Sequence, residues 1–266
     1  MGDFVQETGA NRFEALLGTD FKGRPTNDLE DVIYEALDDP RHRERVPGLT
    51  ALLQDPTADD RERFLSCVAL TTWAEPAGYT AVIAATRDPK RAPWYDLLVD
   101  RKFSVDNTFA QLALAVGDSD VLAREKDTWD QRTEAFGHLI GIADSEYFDE
   151  KLGDQLDPPT AATLLVSIRT VVARGVTALT ARNPVSFDLA TQLVDLAASL
   201  SPVDAATAIS LATDVLAQDP RPRALLHAVS IVQRSNTPEA RAFAEYLAMS
   251  GDDRVRSSVQ DALGTQ

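Results

Sequence analysis

The chain has 266 residues, 44% hydrophobic and 26% charged, a composition that excludes a disordered protein and leaves room for a substantial core. A single cysteine, Cys67, excludes an internal disulfide and a multi-cysteine zinc site and fits a cytoplasmic setting. The net charge of −16 is unevenly placed: residues 1–157 carry 32 acidic and 17 basic side chains, a balance of −15, and residues 158–266 carry 10 and 9, a balance of −1. Such a surface repels nucleic acid and anionic membrane and attracts basic partners.

The opening stretch, MGDFVQETGANRF, lacks the basic-then-apolar order of a signal peptide, and Gly2 is not followed by Ser or Thr at position 6. Helices are predicted over about 27–38, 43–54, 59–73 and 76–87, with starts or stops marked by Asp39-Pro40, Asp55-Pro56, Glu75-Pro76 and Asp88-Pro89. The stretch 87–107 is the least legible. Further helices are predicted over 106–116, 119–143, 145–155 and 159–182, with a boundary marked by Asp157-Pro158. The apolar run 163–181 is interrupted by Arg169 and Arg174 and reads as a buried helix, so no membrane span is expected.

From Asn183 onward the chain becomes regular. Asn183-Pro184, Ser201-Pro202, Asp219-Pro220 and Thr237-Pro238 place a capping residue and a proline every 18 residues. A capping side chain stabilises a helix start by about 1 kcal/mol, and proline suits the first helical position because its missing N–H has no partner there. Behind each pair runs a helical apolar stripe, as at Leu189, Ala190, Leu193, Leu196, Ala197 and Leu200. The expectation is one continuous all-α domain over 1–266, irregular over about 90–157 and most regular over 183–263.

Residues 59–70 (DDRERFLSCVAL) and 252–263 (DDRVRSSVQDAL) share Asp-Asp-Arg-x-Arg and a later Ala-Leu, and 219–230 (DPRPRALLHAVS) matches in part. Segments 55–89 and 219–263 resemble HEAT-like repeats, with Asp55-Pro56, Arg63, Ala69-Leu70, Pro76 and Asp88-Pro89 in the places where that family carries its Asp-Pro, Arg, Ala-Leu and turn proline. In the later copies those places hold Asp219-Pro220, Arg223, Pro238, Arg256 and Ala262-Leu263. The resemblance implies an α-solenoid of antiparallel helix pairs whose inner surface binds a partner, and it implies no chemistry.

Chemistry leaves few marks. His42, His138 and His227 belong to no paired metal motif; Glu134 and His138 lie four apart on one helix face, but a third ligand at a defined spacing is missing. Cys67 falls on an apolar face as a small core residue. Phosphate-binding, nucleophile-elbow and dinucleotide motifs are absent, so no catalytic residue, metal or cofactor is expected. The most suggestive region mixes rings and carboxylates: Asp127, Trp129 and Asp130, then Asp144, Glu146, Tyr147, Asp149 and Glu150, with Trp94 and Tyr95 as a second group. The expected function is non-enzymatic binding of a basic protein, as an adaptor, a regulator or an immunity protein. The rival reading is a HEAT-like DNA glycosylase using Trp129 with Asp127 or Asp130.

Overall fold

The computed structural model describes residues 9–26, 28–100, 104–183, 185–235 and 237–264. Residues 1–8, on which the expectation of no leader rests, and Pro184 lie outside them. The fold is all-α: the described residues form 16 helices and one two-stranded hairpin. The chain packs as two compact units, one of residues 1–98 and 115–135 and the other of 99–114 and 136–266.

The first unit holds α1 (Gly9–Leu17), α2 (Leu29–Glu35), α3 (His42–Gln54), α4 (Asp60–Thr72), α5 (Pro76–Arg87) and α7 (Asp120–Glu125). It also takes the end of α6 (Thr108–Asp118) and the start of α8 (Trp129–Ile140). Sequence reading misses α1, which buries Phe13 and Leu17. Trp73 is fully buried and its indole N–H donates to the Ile33 carbonyl at 2.9 Å. Beside it sits a polar knot. Lys126 Nζ donates to Glu75 Oε1 at 2.6 Å, to the Trp73 carbonyl at 2.7 Å and to His42 Nε2 at 3.1 Å. Because an ammonium cannot accept, His42 Nε2 must be the acceptor, and Nδ1–H donates to the Asp39 carbonyl at 2.8 Å. The partners therefore fix a neutral imidazole, and burial, with help from Lys126 and Arg43, holds its pKa below the usual value.

The second unit opens with the hairpin β1 (Val99–Asp100) and β2 (Val105–Asp106) and the start of α6. It continues through the end of α8, α9 (Lys151–Asp154), α10 (Pro158–Thr163), α11 (Leu165–Thr180), α12 (Leu189–Ala198), α13 (Ala205–Gln218), α14 (Pro222–Gln233), α15 (Pro238–Ser250) and α16 (Asp253–Gly264). Successive helices from α11 to α16 pack as neighbours, and each also packs on the helix two places later. Two rows result, α11–α13–α15 and α12–α14–α16. Helix α11 is not the buried helix expected: it buries Ile168, Val171 and Val172 on one face and leaves Val166 73% exposed. No helix among the described residues is long and apolar enough to cross a membrane.

The 18-residue punctuation marks helix starts less often than the sequence suggests. Of its four pairs, Thr237-Pro238 alone behaves as expected, with the Thr237 hydroxyl accepting from the Ala240 N–H at 3.2 Å. Elsewhere a stronger cap takes over, Asp with Thr three residues on. Asp188 accepts from the N–H and the hydroxyl of Thr191, and Asp204 does the same with Thr207. At Asp157-Pro158 cap and proline coincide: Asp157 accepts from the N–H and hydroxyl of Thr160, and Pro158 opens α10. Ser201 falls in the turn after α12, where its hydroxyl is buried without a hydrogen bond. Asp219 ends α13, and in Asp-Pro-Arg-Pro it is the second proline, Pro222, that opens α14.

Asn183 ends a helix instead of starting one. Arg182 takes φ +54°, its N–H donates to the Leu179 carbonyl at 3.0 Å, and the Asn183 N–H reaches back to the Ala178 carbonyl at 3.1 Å. This is a Schellman closure with a non-glycine in the left-handed position. Ala74 and Asp127 close α4 and α7 in the same way, with φ +57° and +56°. The Asp127 turn is why the helix expected over 119–143 is broken into α7 and α8.

Two consequences are testable. Replacing exposed Arg182 by Gly relieves the left-handed strain, and the urea midpoint of unfolding is expected to rise by the equivalent of about 1 kcal/mol. The His42 contribution has a definite sign. With its folded pKa depressed, its stabilisation is complete above the free-imidazole value of 6.5 and is lost as pH falls through the lowered value. Urea titrations across that range are expected to show this loss in the native chain and a flatter profile in His42→Gln.

Candidate functional site

The acidic segment 143–150 is held by one buried side chain. Gln192, on α12, donates from Nε2 to the carbonyls of Ala143 at 2.6 Å and Glu146 at 2.9 Å. Its Oε1 accepts from the N–H groups of Phe148 at 2.7 Å and Asp149 at 3.0 Å. Both donors and both lone pairs of the amide are thereby used on the backbone of one loop. These bonds replace helical ones, so the expected helix over 145–155 shrinks to α9. Phe148 fills the core under the loop, 6.3 Å from the Phe109 ring. Gly153 completes the seat, since a Cβ there would lie 2.7 Å from the Asp195 carbonyl oxygen.

Two of the four carboxylates of this segment are engaged by arginines. Asp144 takes a two-point contact from Arg174, at 2.9 and 2.6 Å. Asp149, at φ +54°, pairs with Arg223 at 2.6 Å, and Asp154 pairs with Arg234 at 3.1 Å. Tyr147 packs its ring 5.7 Å from Phe187, and burial together with the Asp149 carboxylate pushes its phenol up to about 12. Glu146 is half-buried, while Glu150 is exposed. Arg174, Arg223 and Arg234 thus pair with three of the twelve acidic side chains that the sequence concentrates between 118 and 157.

The group at 124–134 is different. Three cations are interspersed there, but Lys126 is turned into the His42 knot and Arg132 is 1% exposed, donating to the carbonyls of Val116 at 3.0 Å and Gly117 at 3.3 Å. Glu125, Asp127, Asp130 and Glu134 are all exposed and form no ion pair among the described residues. Trp129 is half-buried, with the guanidinium groups of Arg124 and Arg132 over its ring at 4.5 and 4.6 Å. That arrangement occupies the ring with cations and does not offer it for stacking on a nucleic-acid base.

Trp94 does not stand out as a surface anchor. It is 4% exposed, meets Phe64 edge-on at 6.0 Å, and walls an apolar groove of about 540 Å³ with Ala77, Ala81 and Ala84 of α5. Tyr95 is half-buried beside it. Cys67 is fully buried, and burial pushes its thiol up to about 12, which leaves no thiolate for nucleophilic work. No group of three His, Cys, Asp or Glu side chains among the described residues could hold a metal ion.

Sequence reading misses a cleft of about 350 Å³ in the second unit, walled by α12, α14, α16 and the α9 end. Its centre is a pair 32 residues apart: His227 Nδ1–H donates to Asp195 Oδ1 at 2.8 Å. The carboxylate holds the imidazole's pKa above its ordinary value, so the pair keeps its proton to higher pH than free histidine. No motif spacing announces it. The weak signals are polar Gln192 and Asp195 inside the mostly apolar run LATQLVDLAA.

No family model, no curated protein and no solved structure matches this chain.

Gln192 supplies the sharpest local test. In Gln192→Leu the two carbonyls and two N–H groups lose their partner, and a loss of at least about 3 kcal/mol is expected from the buried groups left unmatched. Gln192→Glu keeps the acceptor but cannot donate to Ala143 and Glu146. Hydrogen exchange is expected to show the Phe148 and Asp149 amides fully exposed to exchange in the first variant and partly protected in the second.

Proposed function

We propose that the chain is a non-enzymatic, HEAT-like helical repeat protein that binds a basic protein through the acidic face at 125–134. The observation that carries this reading is the separation of charge within one short stretch: Lys126 and Arg132 point inward while Glu125, Asp127, Asp130 and Glu134 face solvent. The first unit as a whole draws on 24 acidic and 14 basic side chains, a balance of −10. Acidic surfaces of this kind raise the association rate of basic partners and confer salt dependence. The two helical rows of the second unit support the repeat architecture, which presents helix faces to partners. Asp144 and Asp149, already engaged by arginines, serve this function less directly than Asp127 and Asp130.

The test is capture from a native extract at low salt, elution at high salt, and direct binding of the purified chain to the eluted protein. The partner is expected to be basic. Asp127→Asn with Asp130→Asn and Glu134→Gln is expected to weaken binding about tenfold and to flatten its salt dependence, from exposed charges worth up to about 1 kcal/mol each. Asparagine tolerates the left-handed backbone at 127, so the turn survives the change. Unchanged affinity in this variant, or measurable binding to duplex DNA at low salt, would overturn the reading.

A further inference from the structure

We propose that the cleft around His227 and Asp195 binds an alkylguanidinium group. Three carboxylates wall it, Glu150, Asp154 and Asp195, against two cations, His227 and Arg234. Both cations are already committed, Arg234 to Asp154 and His227 to Asp195. An entering anion would meet an excess of carboxylate and no uncommitted cation. A cation meets the reverse.

Acceptors are in surplus as well. The Asp195 side chain is 10% exposed, and its Oδ2 is buried with no hydrogen-bond partner. A buried carboxylate oxygen left unmatched is a cost that a donor from a ligand removes. Glu150 is exposed and unpaired at the rim, and Gln233 and Ser258 add polar groups without a partner among the described residues. Guanidinium carries five N–H donors in one plane and is weakly hydrated, which suits acceptors spread over α9, α12 and α14 better than the compact ammonium does. The same cleft has an aliphatic wall of Ala198, Leu226 and Val229 for the alkyl stem. A bare metal ion is the poorer occupant, because the described residues bring no three ligand side chains together.

The group could come from a free small molecule or from an arginine side chain in another protein, and the site stands whether or not the acidic face at 125–134 binds a basic partner. With ring-labelled histidine in the full chain, His42, His138 and His227 give three imidazole signals to follow during titration with butylguanidinium. A saturable shift of the His227 signal alone is expected, weakened about tenfold by Glu150→Gln and abolished by Asp195→Asn. Because Glu150 is exposed, its variant keeps the experiment decisive even where the Asp195 variant fails to fold. The peptide acetyl-Gly-Arg-Gly-amide binding as tightly as butylguanidinium assigns the site to protein arginines, and its exclusion assigns it to a free small molecule. The proposal is overturned by an unmoved His227 signal, by a response indifferent to Glu150→Gln, or by equal binding of butylammonium.

Discussion

The amide of Gln192 is the constraint on which the middle of the chain depends. A loop rich in carboxylates has little apolar surface with which to pin itself, and its charges repel one another. Four hydrogen bonds from one buried side chain hold its backbone, at Ala143, Glu146, Phe148 and Asp149, beside the single large ring, Phe148, that it buries. Only an amide can do this, because the loop presents two acceptors and two donors at once. Once the backbone is fixed, Asp144 and Asp149 stand where Arg174 and Arg223 can reach them, and Phe148 enters the core.

The charge pattern follows from where side chains point more than from how many there are. The region 118–157 is the most acidic in the sequence, with 12 acidic and 4 basic residues, yet its two halves behave differently. In the loop, Arg174 and Arg223 from distant helices pair with Asp144 and Asp149. Around α7 and α8, Lys126 and Arg132 are turned inward and Arg124, lying over the Trp129 ring, is the cation left exposed beside Glu125, Asp127, Asp130 and Glu134. A linear count of charge could not separate these cases.

Much of the fold was legible, and the reasons are local. Helical stripes at Phe64, Cys67 and Leu70, or at Leu193, Leu196 and Leu200, follow from a period of 3.6 and need nothing else. The helix boundaries were harder. Pro220 and Pro222 both sit in Asp-Pro-Arg-Pro, and choosing the second requires knowing that Asp219 closes α13. At Asp157-Pro158 the cap and the proline coincide and the helix start is legible, whereas the Asp-x-x-Thr caps at 188 and 204 are masked by the more conspicuous prolines nearby. The left-handed residues Arg182 and Asp127 gave no signal, since glycine is the usual marker. The site was legible only as a region: Arg174 pairs with Asp144 across 30 residues and His227 with Asp195 across 32, distances set by tertiary packing and by no motif.

The tryptophans carry a last consequence. Trp73 and Trp94 are sealed in the core of the first unit, while Trp129 alone is half-exposed, with guanidinium groups over its ring and carboxylates around it. The molecule therefore has an intrinsic optical reporter at the face where the acids are displayed. Its emission is set by a polar, cation-stacked environment that the other two indoles do not share. A neutral quencher reaches that ring more readily than the two buried ones, so it distinguishes the displayed face from the core.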